Sequence, residues 1–497
     1  MQTIHRILFH RGRHCGQKVA LITHERRWTY QELLQDVMGW AGYLHSVGLK
    51  KGDRIAVLAF NQPDFLHLLF AAGYLGLIAV PLNYRLQPPE LAIQLADSGA
   101  SILFAGEEHW QLAEESVAKL PAPPELKPLS HPSFKPPDPL PPSPASPGDP
   151  LLMVYTSGTT GRPKGALLTH QNLLANAINA GWPLGFTDQD RFLTLLPLTH
   201  VGGIGLFTLP ALFLGATVVM QTRFDPDEAL LLMDREGITV VMVVPTILKM
   251  LLDSPLWPEA DLSSVRLFVN GGDVCPLEWV QKVREKGLPM GGGYGLTETS
   301  PTSFMIPLSE LVQGTRHPGF IGKPAPLTEA RLVDDQGADV PPGQVGEIWL
   351  RGPQLFAGYW NLPQETEAAF SKGWFRTGDL AWQDEEGFTF IVGRKKEMIK
   401  SGGENIYPAE VEAHLLEHPA VKEVAVIPRK DERWVEVPVA VVAFKEGEGA
   451  SPEELIRFLT PRLARFKIPK DFHVVPGLPR TSLGKIARGE LRERYGG

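Results

Sequence analysis

Four hydroxyl side chains, two glycines and a lysine stand within the nine residues "TSGTTGRPK", Thr156 to Lys164. A stretch of this kind can wrap an anion. Gly158 and Gly161 leave backbone N–H groups unobstructed, and the hydroxyls of Thr156, Ser157, Thr159 and Thr160 and the ammonium of Lys164 add to them. It is not the G-x-x-x-x-G-K-[ST] loop of nucleotide hydrolases, because Pro163 precedes Lys164 and Gly165 follows it. The apolar "LLMVY" leads in, "GALLTH" leads out as a short strand, and a helix starts near Asn172 with "NLLANAINA". The loop therefore joins two strands, with no helix N-terminus on hand for the anion. Taken alone, such residues also make an ordinary surface turn.

Other stretches could share a site with this loop. In "GGGYGLTETS" (Gly291 to Ser300), Tyr294 beside bare backbone would floor a purine. Glu298 there is a lone carboxylate of the kind magnesium takes when phosphate oxygens supply its other ligands. In "WFRTGDL", Asp379 is placed at a strand end, where an acidic residue can bind ribose hydroxyls. His200 in "LPLTHVGG" and Lys485 in "LPRTSLGKIARGEL" are candidates with plainer alternatives, a packed histidine and a solvated lysine. A Gly-rich turn with a surface Glu, and an Asp-containing turn, are the plainer readings of the first two.

The elements that must carry these residues alternate along the first three hundred positions. "DRIAVLAF", helix "PDFLHLLFAAGYLG" and "IAVPLN" are followed later by helix "LLLMDREG", strand "ITVVMVVP", helix "TILKMLLDS" and strand "VRLFVNGG". Strands alternating with helices indicate parallel sheets covered on both faces, an α/β class. Between Pro121 and Pro150, thirteen of thirty residues are Pro, which predicts an extended surface connection. From about 315 to 393 the pattern is β-rich, with "EARLVDDQGADVPPGQVGEIWLRG" and "GFTFIVG". The last hundred residues read as a compact α+β unit: helix "PAEVEAHLLEH", strands "VKEVAVIP" and "VPVAVVAF", helix "PEELIRFLTPRLA".

With 497 residues, two or more domains are expected. The 43% hydrophobic and 21% charged content is that of a globular protein, and a net charge of −8 gives no reason to expect nucleic acid. Cys15 and Cys275 alone supply neither a disulfide framework nor a cysteine zinc site, and with no signal peptide at the start this predicts a cytoplasmic protein. Phe192 to Thr222 carries no Asp, Glu, Lys or Arg, a length that could span a bilayer. Its prolines and glycines break it into a loop, a helix and the strand "ATVVM", so no integral membrane segment is expected; a homodimer is left open.

The motifs "YTSGTTGRPKG", "YGLTET", "RTGD", "GRKKEMIKSGGENIYPAEVE" and "PRTSLGKIAR" resemble, in order and spacing, those of the adenylate-forming superfamily of acyl-CoA synthetases, amino-acid-activating domains and beetle luciferases. The resemblance runs from "WTYQEL" near residue 28 to "GKIAR" near 488. It implies a two-step ligase using ATP, Mg2+ and coenzyme A: a carboxylate attacks the α-phosphate to give an acyl-adenylate and pyrophosphate, and a thiol then displaces AMP. It implies a large domain, 1–395, and a small mobile domain, 396–497, rotating about a hinge at Lys396, where many relatives have Asp.

By the same resemblance Thr156 to Lys164 hold the β- and γ-phosphates. Gly271, Gly272 and Asp273 with Tyr294 and Gly295 border the nucleotide, Thr297 touches the α-phosphate, and Glu298 binds the metal. Asp379 and Arg394 hold the ribose. Lys485 bridges the carboxylate and α-phosphate. Ser401, Gly402, Gly403 and Glu404 line the pantetheine path, which meets the acyl pocket near His200.

The implied acyl walls are Val201, Gly202, Gly203, Asn270, Gly293, Ser300 and their neighbours. No carboxylate in "THVGGIGLF" would pair a substrate ammonium, which disfavours amino acids. Mostly apolar walls suit an uncharged group. Fatty acids are thus expected first, coumarate- or ferulate-type aryl acids second, and succinylbenzoate third, for want of an Arg or Lys to meet its second carboxylate. A luciferase-type oxygenase and a non-catalytic nucleotide binder are the remaining alternatives, the latter disfavoured by the intact Lys485.

Overall fold

The structure is a computed structural model that describes residues 2–131, 140–156, 163–311, 319–401, 404–481 and 485–496. Its contacts divide the chain into two units. One comprises Met1–Thr315, Ile321–Ala330 and Leu350–Phe375; the other comprises Arg316–Phe320, Arg331–Trp349 and Arg376–Gly497.

The first unit contains two sheets with helices between their strands. One sheet runs in the order Gly358–Tyr359, Lys164–Thr169, Pro150–Thr156, Ile78–Pro81, Arg54–Leu58, Ile102–Ala105, Glu125–Pro128. It is parallel from Pro150–Thr156 onward and antiparallel at the other edge. Local sequence explains the punctuation. The helix Pro63–Leu75 begins on a proline whose missing N–H costs nothing at that position, and it ends at Gly76 in the left-handed region. Within the Pro-rich connection Glu125–Pro128 is an edge strand, where one side needs no hydrogen-bond partner.

The second sheet of this unit runs Arg27–Thr29, Val19–Ile22, Thr217–Met220, Arg191–Thr194, Val240–Val243, Leu267–Asn270, Met290–Tyr294, Phe304–Met305. Its interior strands are parallel and almost wholly apolar, as burial on both faces requires. The uncharged run from Phe192 to Thr222 resolves into a strand, the π-helix Gly202–Thr208, the α-helix Leu209–Leu214 and a second strand. The first of these strands and the π turns go beyond the loop, helix and strand expected there. Among the described residues no helix is long and apolar enough to cross a membrane.

In the second unit Val435–Phe444 lies at the centre of a five-stranded sheet, antiparallel to Val421–Asp431 and parallel to Asp471–Val474. Opposite faces of these strands feed two apolar clusters. Val424, Val426 and Val442 pack with Leu415 and Leu455, whereas Ala425, Ile427 and Val441 pack with Leu478 and Leu491. Alternation from Val424 to Ile427 assigns these residues to the two sides, beyond an irregularity between Val421 and Glu423.

Candidate active site

In the first unit Pro150–Thr156 and Lys164–Thr169 are antiparallel strands with Thr156 paired to Lys164, as expected on either side of the loop. Thr156 Oγ1 donates to the Lys164 carbonyl at 3.4 Å. The helix that follows begins at His170, two residues earlier than expected, because Thr169 caps it in a reciprocal box with Asn172. Ser157, Gly158, Thr159, Thr160 and Gly161 lie outside the described residues.

Glu298 sits in the short 3-10 turn Thr297–Thr299 after the strand Met290–Tyr294, so Gly291 to Gly293 belong to a strand rather than a turn. At Gly295 the chain passes so close to the next turn that an added Cβ would lie 1.5 Å from the Pro301 carbonyl oxygen; only glycine fits. Thr297 and Tyr294 are half-buried, and Tyr294 meets Phe304 edge to face at 5.9 Å. The neighbouring strand ends in the turn Asn270–Asp273, with Gly272 at φ 82°. Asn270 Nδ2 donates to the Asp273 carbonyl at 2.9 Å, and Asp273 Oδ1 accepts the Val274 N–H at 2.8 Å. Asp273 therefore closes this turn, a role its neighbours in sequence did not show.

One residue the sequence reading missed joins these parts. The strand Gly358–Tyr359 adds to the sheet edge beside Lys164–Thr169. Phe356 N–H donates to the Glu298 carbonyl at 2.9 Å and Trp360 N–H to the Gly165 carbonyl at 2.8 Å. Between them, the Tyr359 hydroxyl donates to Glu298 Oε1 at 2.7 Å, and the Lys164 ammonium lies over the Tyr359 ring, 5.2 Å from its centre. Burial, with the Glu298 charge added, pushes the Tyr359 phenol far above the ordinary tyrosine range, so it remains a donor. Among the described residues no group of three or more His, Cys, Asp or Glu could cage a metal. A single carboxylate beside a phosphate loop fits a hard cation that takes most of its ligands from phosphate and water.

His200, Val201, Gly202 and Gly203 open the π-helix. The N–H groups of Gly203 and Ile204 both donate to the His200 carbonyl, at 3.1 and 3.3 Å. Thr208 Oγ1 donates to the Gly203 carbonyl at 2.7 Å and lies 3.1 Å from Thr194 Oγ1, which fastens the π turns to the sheet. A small cavity between them is lined by Thr194, Leu196, Gly202, Gly203, Phe207 and Met242. Gly293 is half-buried, whereas Ser300 is fully buried and its hydroxyl donates to the Gln354 carbonyl at 2.8 Å. Ser300, expected among the acyl walls, is thus held by backbone.

In the second unit Asp379 lies within the strand Trp374–Gln383, not at its end, directly opposite Arg394. Arg394 Nε and Asp379 Oδ1 are 3.0 Å apart. Lys396 occupies the turn Lys395–Glu397; burial, then repulsion from Arg394, holds its ammonium below the usual lysine range. Buried Ser401 pairs across a hairpin with exposed Glu404, while Gly402 and Gly403 lie outside the described residues. Lys485 is exposed, and its carbonyl accepts the Thr481 N–H at 2.7 Å beside the Arg480–Ile486 bridge.

Thr156 and Lys164 at the two ends of a hydroxyl-rich segment, with Tyr359 joining Lys164 to Glu298 on a doubly covered α/β fold, are parts that suit a nucleotide-binding enzyme. The AMP-binding enzyme family model matches residues 8–360, and that of the AMP-binding enzyme C-terminal domain matches residues 410–485. The chain belongs to this family, within the adenylate-forming superfamily, and is an AMP-forming acid–CoA ligase; ATP, Mg2+ and coenzyme A are the co-substrates and cofactor of the class. It is 41% identical over 472 residues to the feruloyl-CoA synthase of an Amycolatopsis species, covering 94% of each chain. It is likewise 41% identical over 495 residues to the indoleacetate–CoA ligase of Aromatoleum aromaticum, covering 97% of this chain and 96% of that one. Among solved structures, o-succinylbenzoate CoA synthetase of Bacillus subtilis, in complex with its acyl-adenylate, matches with a TM-score of 0.85 at 32% identity over 98% of this chain and 97% of that one. The acids these names carry are aromatic. They favour the aryl alternative over the fatty acid expected first.

Proposed function

We propose that the protein couples an aromatic monocarboxylic acid to coenzyme A through an acyl-adenylate. The observation that carries this is the 41% identity, over nearly the whole chain, to ligases named for ferulate and indoleacetate. The walls agree with a single carboxylate. Residues 200–207, 270–273 and 291–303 contain neither Lys nor Arg, so a second substrate carboxylate would meet no cationic partner there. Apolar walls alone do not separate alkyl from aryl groups, which is why the fatty acid yields to the identity of the relatives.

In this reading Thr156 to Lys164 grip the outer phosphates, Tyr294 and the Gly271–Asp273 turn border the adenine, Thr297 touches the α-phosphate, and Asp379 with Arg394 takes the ribose. Lys485 stabilises charge on the carboxylate and α-phosphate in the first half-reaction. Magnesium, when bound, neutralises phosphate charge, and Glu298 is the residue that would hold it. Ser401 to Glu404 line the thiol's approach in the second half-reaction, with residues 396–497 turning about Lys396 between the two.

The test is AMP release with ferulate, indoleacetate, 2-succinylbenzoate and saturated fatty acids, each with and without coenzyme A. The highest kcat/KM is expected on ferulate or indoleacetate. A preference of tenfold or more for a fatty acid, or ADP as product, would overturn the reading.

A further inference from the structure

Lys164 and Glu298 belong to different motifs, yet one side chain touches both. The Tyr359 hydroxyl is 2.7 Å from Glu298 Oε1, and the Tyr359 ring lies under the Lys164 ammonium at 5.2 Å. Its own position is fixed by backbone bonds on either side: Phe356 N–H to the Glu298 carbonyl, and Trp360 N–H to the Gly165 carbonyl. Tyr359 N–H is spent on Thr366 Oγ1 at 2.9 Å, and the ring of Phe356 packs edge-on against that of Tyr359 at 4.8 Å. The backbone at Tyr359 is thus fixed on both sides, and its side chain is held by the Glu298 carboxylate and the Phe356 ring.

We propose that Tyr359 is the positioning residue that sets the metal carboxylate and the phosphate lysine relative to each other. Its hydroxyl occupies one oxygen of Glu298 and leaves the second oxygen for a cation, fixing the carboxylate's rotation. Its ring face seats the Lys164 ammonium and fixes where that charge stands relative to Glu298. The two jobs use different parts of the side chain and are therefore separable. A hydrogen-bonded support behind a metal ligand typically alters metal affinity by about 10- to 100-fold, and a cation over an aromatic face is held by the ring alone, with or without a hydroxyl.

This rests on the reading of Glu298 as metal ligand and Lys164 as phosphate ligand, and the experiment separates the two. ATP binding is measured by calorimetry without acid or coenzyme A, once in EDTA and once with Mg2+. The affinity of Mn2+ for the protein–ATP complex is then measured by electron paramagnetic resonance. In Tyr359→Phe, ATP affinity in EDTA should stay within twofold of the native protein, while Mn2+ affinity falls about tenfold. Tyr359→Leu should lose both. Lys164→Gln, which leaves ring and hydroxyl in place, should weaken ATP in EDTA and leave Mn2+ affinity unchanged, and it stands in if the leucine variant melts early. Native Mn2+ affinity in Tyr359→Phe, or a loss of metal-free ATP binding equal to that of Tyr359→Leu, overturns the proposal. A native protein whose ATP binding ignores both metal and Lys164→Gln overturns the underlying reading, and the proposal with it.

Discussion

Arg394 Nε stands 3.0 Å from Asp379 Oδ1, across two strands that place the residues directly opposite each other. The aspartate side chain is 6% exposed and the arginine 44% exposed, so the arginine orients a nearly buried carboxylate from the solvent side. A carboxylate fixed in this way is ready to accept two hydroxyls of a ribose without first reorganising. Asp379→Ala should therefore weaken ATP binding by about 1.5–3 kcal/mol, the range for lost charge-assisted hydrogen bonds. Arg394 can turn to water, so the thermal midpoint should change little. Calorimetry and a melting curve check both halves, and an unchanged affinity would place the ribose elsewhere.

Lys485 is exposed beside the Arg480–Ile486 bridge, with nothing in its own backbone to lose on truncation. Lys485→Ala should slow adenylate formation by about 100-fold or more, the scale of one lost charge stabiliser. Supplied with a ready-made acyl-adenylate, the variant should make thioester at close to the native rate. Single-turnover measurement of each half-reaction decides, and equal slowing of both would contradict the assignment.

Gly295→Ala places a methyl 1.5 Å from the Pro301 carbonyl oxygen, which is backbone and cannot rotate aside. The turn carrying Thr297 and Glu298 must then move. Overpacking of this kind costs about 1–3 kcal/mol or more, so both a lower unfolding midpoint and a loss of Mg2+-dependent pyrophosphate release are expected. Native values of either would show that the turn can shift freely.

His5 and His170 are buried against each other, and burial is the main cause that lowers each to a pKa of about 4. His170 Nδ1 accepts the Ile4 N–H at 3.1 Å, which suits the neutral ring, whereas His5 Nδ1 donates to the Gly73 carbonyl at 2.9 Å, a bond that opposes the effect of burial without cancelling it. Since the unfolded chain takes up these protons near pH 6.5 and the folded one near pH 4, stability is full above 6.5 and is lost as pH falls toward 4. The loss should approach about 3 kcal/mol per histidine at the lower end. Urea unfolding at pH 7, 5.5 and 4.5 measures it. Two variants, His170→Gln and His5→Gln, should each flatten the slope, and an unchanged slope in both would assign it to other groups.

The strands around Ile55, Val241 and Phe268 were legible because continuous apolar runs punctuated by Gly or Pro can hardly be anything but buried parallel strands. The phosphate loop was legible as a link between strands, because Pro163 and Gly165 exclude a helix start at Lys164. Tyr359 was not, since "FAGYWN" reads as an aromatic turn and its partner Glu298 lies 61 positions earlier. The pairing of Asp379 with Arg394 depends on strand register, and the burial of Ser300 on a turn that meets the Gln354 carbonyl 54 positions later; the single sequence leaves both open. The choice between an aryl and an alkyl acid was open for a different reason: Gly, Val, Ile and Leu make a wall of the right polarity for either a chain or a ring.

The π-helix at Gly202–Thr208 turns the question of specificity into one of counting. Its turns close with wider hydrogen-bonded rings, as in the bond from Leu209 N–H to the Ile204 carbonyl. A residue lost from a regular α-helix swings everything ahead of it by about 100°, the angle of one residue in a helix of 3.6 per turn, whereas a wide π turn can give up a residue with far less rotation. His200 and Val201, just ahead of it, can thus keep their facing while the segment behind them changes length. Segment length, and not only the exchange of side chains, is therefore a variable open to this part of the fold.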